Sequence, residues 1–370
     1  MRVLMSGGGT AGHVYPALTV AERLLAEGHD VEFVGAPDGL EARLVPEAGV
    51  AFHGVPSRGF DRGHPLTLIT SAFTTFTSVF RGLGLLRRFR PAVVLGFGGY
   101  TTLPVGLAAV IARTPLVLHE QNSVPGLANR VLSRWAAAVG VTYEGSGKYL
   151  RHPERVVVTG NPVRPAVLAA DRERGREALG LDRDAPVLLV FGGSRGAQHI
   201  NDTFVDLAPE LMGIPSLQVV HSAGRIEAAS VSERIAERLG SEHPRYHVVE
   251  YIDAMGDAIA AADAVVSRAG ATSIAEITAI GRPAVLVPYP YATDDHQTLN
   301  ARAVSQAGGA EVVSDSELGT ERFQAAVMRL VRDPDRRGRM AAAAAGLARR
   351  DAAERVARLV TDAASRKGMR

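Results

Sequence analysis

The 370-residue sequence contains no cysteine. That excludes a thiol nucleophile, a thiolate zinc centre and a disulfide framework. Lysine is nearly absent as well: of 41 basic residues only Lys148 and Lys367 are lysine. Neither follows a glycine loop, so neither a P-loop lysine nor a buried Schiff-base lysine is expected. There is no strong charge of one sign. The net charge is +2, which gives no argument for nucleic acid as a partner. The first residues run straight into an apolar strand pattern, without a charged n-region and cleavage site, so a secretory signal is not expected and a cytoplasmic protein is.

What is present is an apolar content of 46% on a chain long enough for two ordinary domains. Short apolar runs at 3–5, 31–34, 92–95 and 116–118 read as buried strands, as do 187–191, 217–220, 247–249, 264–267 and 284–287. Helical patterns lie between them; in 16–27, Ala17, Leu18, Ala21, Leu24 and Leu25 share a face. Such alternation predicts parallel sheets covered on both sides. Gly160-Asn161-Pro162-Val163-Arg164-Pro165 interrupts regular structure and marks a boundary. The expectation is α/β: two Rossmann-like, doubly wound domains facing a cleft. An Ala- and Arg-rich helix from about residue 335 would cross back to the first.

Three glycine loops fall at carboxyl ends of predicted strands, where such sheets bind ligands. The first is Gly7-Gly8-Gly9-Thr10-Ala11-Gly12-His13, the second Gly96-Phe97-Gly98-Gly99-Tyr100, the third Gly192-Gly193-Ser194-Arg195-Gly196-Ala197. Glycine permits tight turns and close approach of a ligand, and a following helix offers free N–H groups to an anion. The first loop also satisfies G-x-G-x-x-G, the dinucleotide fingerprint. That reading wants an acid at the end of the second strand, but the strand ends in Gly35-Ala36, with Asp38 late and Glu32 inside it. A tight strand–helix turn without a ligand is the plainer alternative. His13, at the mouth of this loop, is either a structural histidine or a proton acceptor.

In the second half, Glu276 lies one turn into a predicted helix after Gly270, where a carboxylate either holds ribose hydroxyls or caps the helix. Gln297 and Asn300 share a face and suit sugar hydroxyls. Asp294-Asp295 suggests a metal only weakly, and Asp182 and Asp184 read as a solvated loop; no metal and no cofactor are expected. Residues 66–80 carry no charge, and Ile69, Phe73, Phe76, Phe80 and Leu83 recur at helical spacing ahead of Arg81, Arg87, Arg88 and Arg90. The run is shorter than the ~20 residues of a spanning helix. It either docks on an anionic membrane surface or packs on the sheet.

The motifs Gly7 to His13, His119-Glu120-Gln121-Asn122, Gly160 to Arg164, Gly192 to Ala197 and Asp295-His296-Gln297 occur together in this order. In that combination the chain resembles, nearly end to end, the MurG family, the N-acetylglucosaminyltransferases of bacterial peptidoglycan synthesis. The resemblance implies the GT-B fold and transfer of GlcNAc from UDP-GlcNAc to the C4 hydroxyl of the muramyl sugar of lipid I, giving lipid II. It implies an acceptor- and membrane-side domain over 1–163, with a helix of about 346–370 packed back on it, and a UDP-GlcNAc-binding domain over 164–345. It also implies a peripheral place on the cytoplasmic face of the membrane, near other proteins of the cell-wall machinery.

Carried over position by position, it implies that Thr10, Ala11, Gly12 and Asn122 reach the donor from the first domain. Arg164 and Ser194 fall near the diphosphate, and Ile252 on uracil through its backbone. Ala271, Thr272, Ser273, Ile274, Ala275 and Glu276 surround the nucleotide, with Glu276 on the ribose. Gln297 reads the GlcNAc hydroxyls, His13 is the base, and Tyr100, Glu120 and Asn129 are acceptor-side positions. Two departures stand out. Ala11 replaces a glycine common in relatives. His296 stands where some carry a second glutamine, so sugar discrimination there rests on Gln297. The competing functions are a nicotinamide-dependent oxidoreductase, a UDP-GlcNAc 2-epimerase and a GT-B transferase for another lipid or natural product.

Overall fold

The computed structural model describes residues 1–57, 66–193, 197–240 and 243–368, with backbone alone for 66–72 and 367–368. The chain divides into two compact units, Met1–Arg164 with Arg349–Arg370, and Pro165–Ala348.

The first unit is built on seven parallel strands: β1 (Arg2–Ser6), β2 (Asp30–Gly35), β3 (Ala51–Gly54), β4 (Val93–Gly96), β5 (Leu116–Glu120), β6 (Ala138–Val141) and β7 (Val156–Val158). Their order is β3-β2-β1-β4-β5-β6-β7. The order reverses between β1 and β4, the crevice where doubly wound sheets bind ligands. The helices in chain order are α1 (Ala11–Ala26), α2 (Glu41–Glu47), α3 (Leu66–Phe89), α4 (Thr102–Ile111) and α5 (Leu127–Leu132). One face of the sheet packs Val3, Met5 and Phe33 against Val20 and Leu24 of α1. Val356, Ala357 and Val360 of the C-terminal helix Ala352–Gly368 complete that layer. The other face packs Leu4, Val94 and Leu118 against Val79, Leu86 and Phe89 of α3 and Val105 and Ala108 of α4.

The second unit repeats the plan with six parallel strands: β8 (Val187–Phe191), β9 (Gln218–Ser222), β10 (Tyr246–Val249), β11 (Ala264–Ser267), β12 (Ala284–Leu286) and β13 (Ala310–Val312). The order β10-β9-β8-β11-β12-β13 reverses between β8 and β11. The loop after β8 and the start of the helix Ala271–Ile280 after β11 therefore flank this crevice.

The nine strands expected from the sequence are present, with ends shifted by a residue or two. Four more were not foreseen. β3, β7 and β13 are edge strands of three or four residues, too short for a clear pattern. Interior β6 carries Gly140, where a Cβ would lie 3.2 Å from both His119 and Thr159. α1 begins earlier than the expected 16–27, so His13 lies in its first turn and Pro16 inside it. Pro16 has no N–H to return to the Gly12 carbonyl one turn back. The Ala- and Arg-rich C-terminal stretch is two helices, Pro334–Gly346 in the second unit and Ala352–Gly368 in the first.

Candidate functional site

In the first unit the loops after β1, β4 and β5 converge. The contact between the first two is so close that a Cβ on Gly99, whose φ is +81°, would stand 2.3 Å from the Gly8 carbonyl oxygen. A Cβ on Gly8 would in turn lie 2.0 Å from Oε1 of Glu41. Glu41 is fully buried. Its Oε1 accepts from Ala36 N at 3.0 Å and its Oε2 from Gly9 N at 3.3 Å. The sequence reading overlooked this residue, because a glutamate at the start of a helix looks like an ordinary first-turn charge. It is the acid beside the second strand, and both its oxygens face backbone amides rather than a ribose. Gly9, Asp38, Glu41, Ser57, Tyr100 and Thr101 border a cavity of about 420 Å³. The hydroxyls of Ser57 and Thr101 are buried there without partners among the described residues.

His13 is half-buried, and its Nδ1 lies 2.7 Å from Gln121 Oε1. Gln121 Nε2 lies 3.0 Å from His119 Nδ1 and donates to the His119 carbonyl at 3.3 Å. His119 Nε2 stands 3.0 Å from the Gly160 carbonyl. Burial pushes the His119 pKa down to about 4, against the smaller opposite pull of the Gly160 hydrogen bond. Neither Gln121 nor His119 was singled out from the sequence for a role; only their shared motif was.

Glu120 and Asn129, expected on the acceptor side, are both 1% exposed. Glu120 Oε1 accepts from Asn122 N at 3.0 Å, and Oε2 from Gly126 N at 3.1 Å and Asn129 Nδ2 at 2.8 Å. The pair thus holds the loop after β5 in shape. Asn129 keeps a buried Oδ1 without a partner. Asn122 is half-buried at the head of that loop, and Tyr100 is 55% exposed. Thr10 is exposed and Ala11 and Gly12 half-buried at the α1 N-terminus, where no side chain caps the helix. Arg164 lies over the Tyr15 ring, 4.5 Å from its centroid.

In the second unit Ser194 lies outside the described residues, with Arg195 and Gly196. Ile252 is buried. The helix carrying Ala271, Thr272, Ser273, Ile274, Ala275 and Glu276 opens directly after Gly270; Thr272 and Ser273 are half-buried and Glu276 is 4% exposed. Gln297 sits at the start of the helix His296–Gln306. Its Oε1 accepts from Ala269 N at 3.1 Å and Tyr289 N at 2.9 Å. Two amides fix the carbonyl end, which leaves Nε2 as the end available to a ligand. Arg268 steadies the same loop through Asp315 Oδ1 at 2.5 Å and the carbonyls of Val287 and Pro288. Asn300, read from sequence as a sugar contact, is fully buried and donates to the Ala269 carbonyl instead. Asp294 and Asp295 both adopt left-handed backbone, φ 53° and 51°. Among the described residues no three His, Asp or Glu side chains gather as metal ligands.

The comparisons accord with this geometry. Residues 3–141 match the glycosyltransferase family 28 N-terminal domain and 187–356 its C-terminal domain. A relative from Desulfitobacterium hafniense strain Y51 is 40% identical over 98% of this chain and 100% of its own length. It is described as UDP-N-acetylglucosamine--N-acetylmuramyl-(pentapeptide) pyrophosphoryl-undecaprenol N-acetylglucosamine transferase. The crystal structure of Acinetobacter baumannii MurG superposes with a TM-score of 0.77 at 28% identity, covering 98% of this chain and 99% of that one. A UDP-GlcNAc 2-epimerase from Neisseria meningitidis, bound to UDP-GlcNAc, superposes at 0.70 with 16% identity, covering 98% and 100%, a likeness of fold alone. The two parallel-sheet units have the GT-B architecture, and the chain belongs to the MurG family within glycosyltransferase family 28.

Proposed function

We propose that the chain is an inverting N-acetylglucosaminyltransferase that moves GlcNAc from UDP-GlcNAc to the C4 hydroxyl of the muramyl sugar of undecaprenyl-pyrophosphoryl-MurNAc-pentapeptide, lipid I, giving lipid II. The observation that carries this reading is the end-to-end match to relatives that bear the name of that activity. The hydroxyl oxygen attacks the anomeric carbon, the bond from that carbon to the UDP oxygen breaks, and UDP leaves with the electron pair. The hydroxyl proton passes to His13. Positioning, proton removal and stabilisation of the departing diphosphate are the three demands on the protein.

The second unit supplies most of the donor residues. Gln297, with its amide fixed by two backbone donors, reads the sugar hydroxyls. Glu276 takes the ribose, Ala271 to Ala275 and Ile252 take the nucleotide, and Ser194 the diphosphate. From the first unit Thr10, Ala11, Gly12, Asn122 and Arg164 are donor contacts. Tyr100 is the acceptor-side residue with an exposed ring; Glu120 and Asn129 serve the acceptor by shaping the loop after β5.

Peripheral docking on an anionic bilayer is the second part of the proposal. No helix among the described residues is long and apolar enough to cross a membrane. On α3, Phe73, Phe76 and Phe80 are 68%, 61% and 58% exposed, while Arg81, Arg87 and Arg88 are exposed beside them. Exposed phenylalanines next to arginines suit the headgroup region. Val79, Leu86 and Phe89 on the same helix pack on the sheet, so the helix divides its faces between the two roles weighed from sequence. The reaction is tested by offering radiolabelled UDP-GlcNAc with lipid I or a short-chain analogue. Labelled lipid product is expected; release of free sugar or of an epimer without product overturns the reading.

A further inference from the structure

The side chains of His13, Gln121 and His119 form a single file that ends on the Gly160 carbonyl. A carbonyl oxygen only accepts, so the His119 nitrogen 3.0 Å from it, Nε2, carries a proton. His119 is fully buried, and its lowered pKa leaves the ring neutral near pH 7, with one N–H. His119 Nδ1 is therefore an acceptor. The Gln121 atom 3.0 Å from it also lies 3.3 Å from the His119 carbonyl oxygen. Two acceptors on one side fix that atom as the NH₂ and settle the orientation of the amide. The other end, Oε1, faces His13 Nδ1 at 2.7 Å and can only accept. The proton on neutral His13 thus sits on Nδ1, and Nε2 keeps the lone pair.

We propose that Gln121, backed by His119 and the Gly160 carbonyl, is a positioning residue that locks His13 in the tautomer whose Nε2 receives the acceptor proton; this rests on the base role of His13 proposed above. The logic is that of an orienting carboxylate behind a catalytic histidine, with a neutral amide in its place. An amide fixes the tautomer and ring plane without adding a charge that would hold the imidazolium. Gln121 also gives the buried histidine at the end of β5 a purpose: its ring nitrogen, tied through the far side of the ring to a fixed carbonyl, holds the far end of the amide together with the His119 carbonyl.

The test is a nitrogen-15 NMR spectrum of the histidine-labelled full chain near neutral pH, with signals assigned by His13→Gln and His119→Gln variants. The expected spectrum shows His13 protonated at Nδ1 and His119 at Nε2. A His13 protonated at Nε2 overturns the proposal. In Gln121→Met, of the same length but without hydrogen bonds, the His13 tautomers mix. There kcat falls about tenfold or more, bounded by the hundred- to ten-thousand-fold worth of a general base, while KM for UDP-GlcNAc stays put. An unchanged tautomer and kcat in that variant overturns it too. Should Gln121→Met fail to fold, the wild-type spectrum decides alone. If the base reading fails, it fails through full turnover in His13→Ala, whatever the spectrum shows.

Discussion

Phe76 and Phe80 meet edge to face, 5.0 Å between ring centroids, on the outer side of α3. An aromatic pair at such exposure leaves apolar area in water that a buried pair would not. A double Phe76→Asp, Phe80→Asp variant is expected to lose co-sedimentation with anionic vesicles. Its turnover on a short-chain, water-soluble acceptor should remain within about twofold, since both rings are mostly exposed and neither is among the proposed donor or acceptor residues. Unreduced vesicle binding by a folded double variant would reject docking through this face.

Removing the His13 imidazole is the direct test of the proposed chemistry. His13→Ala is expected to lose on the order of a hundred- to ten-thousand-fold in kcat while binding UDP-GlcNAc as before. Near-normal turnover would sink the role.

A substitution at Gln297 offers a test that sets sugar recognition apart from nucleotide recognition. Gln297→Glu keeps an oxygen for Ala269 N and Tyr289 N but replaces the NH₂ by a second oxygen. Affinity for UDP-GlcNAc should fall about tenfold, the worth of one hydrogen bond lost where the new oxygen accepts and no longer donates to the sugar. Affinity for UDP should not change. Calorimetry with both ligands checks this; equal losses for the two would mean that Gln297 supports the site without reading the sugar.

Two buried histidines tie stability to pH. Burial holds His119 down to about 4 and His221, whose nitrogens face Tyr246 and Asn201, down to about 3. Both folded values lie below the unfolded 6.5, so the unfolded chain binds more protons as pH falls through 6.5. Stability is full above that point and declines toward the folded values. Between pH 7 and pH 5 the loss is about 2 kcal/mol for each histidine. Denaturant unfolding at the two pH values measures it, and equal midpoints would contradict the assignment.

How much of this was legible in the sequence depends on range. The strands of the sheet centres, such as β1, β5 and β8, are continuous apolar runs and could be read directly. β3, β7 and β13 gain their definition from neighbours at a sheet edge, which no local pattern encodes. The glycine loops could be read because their spacing is local. What the loops hold was not local: Glu41 reaches back over 32 residues to Gly9, and Gln121 over 108 to His13. Asn300 shows a limit of another kind: helical spacing put it on the Gln297 face, and both side chains do reach Ala269, but its full burial is set by packing that no local pattern shows.

The C-terminal helix completes the core of the first unit, with Val356, Ala357 and Val360 at most 1% exposed in a layer shared with strands made from the first 141 residues. During synthesis the first unit therefore waits, one face of its sheet covered only in part, by α1, until the C-terminal helix leaves the ribosome. The second unit, whose residues are contiguous, has its whole core in hand earlier. The half of the enzyme that is translated first is the half that finishes folding last. A nascent chain stalled before residue 352 would leave the first unit incomplete.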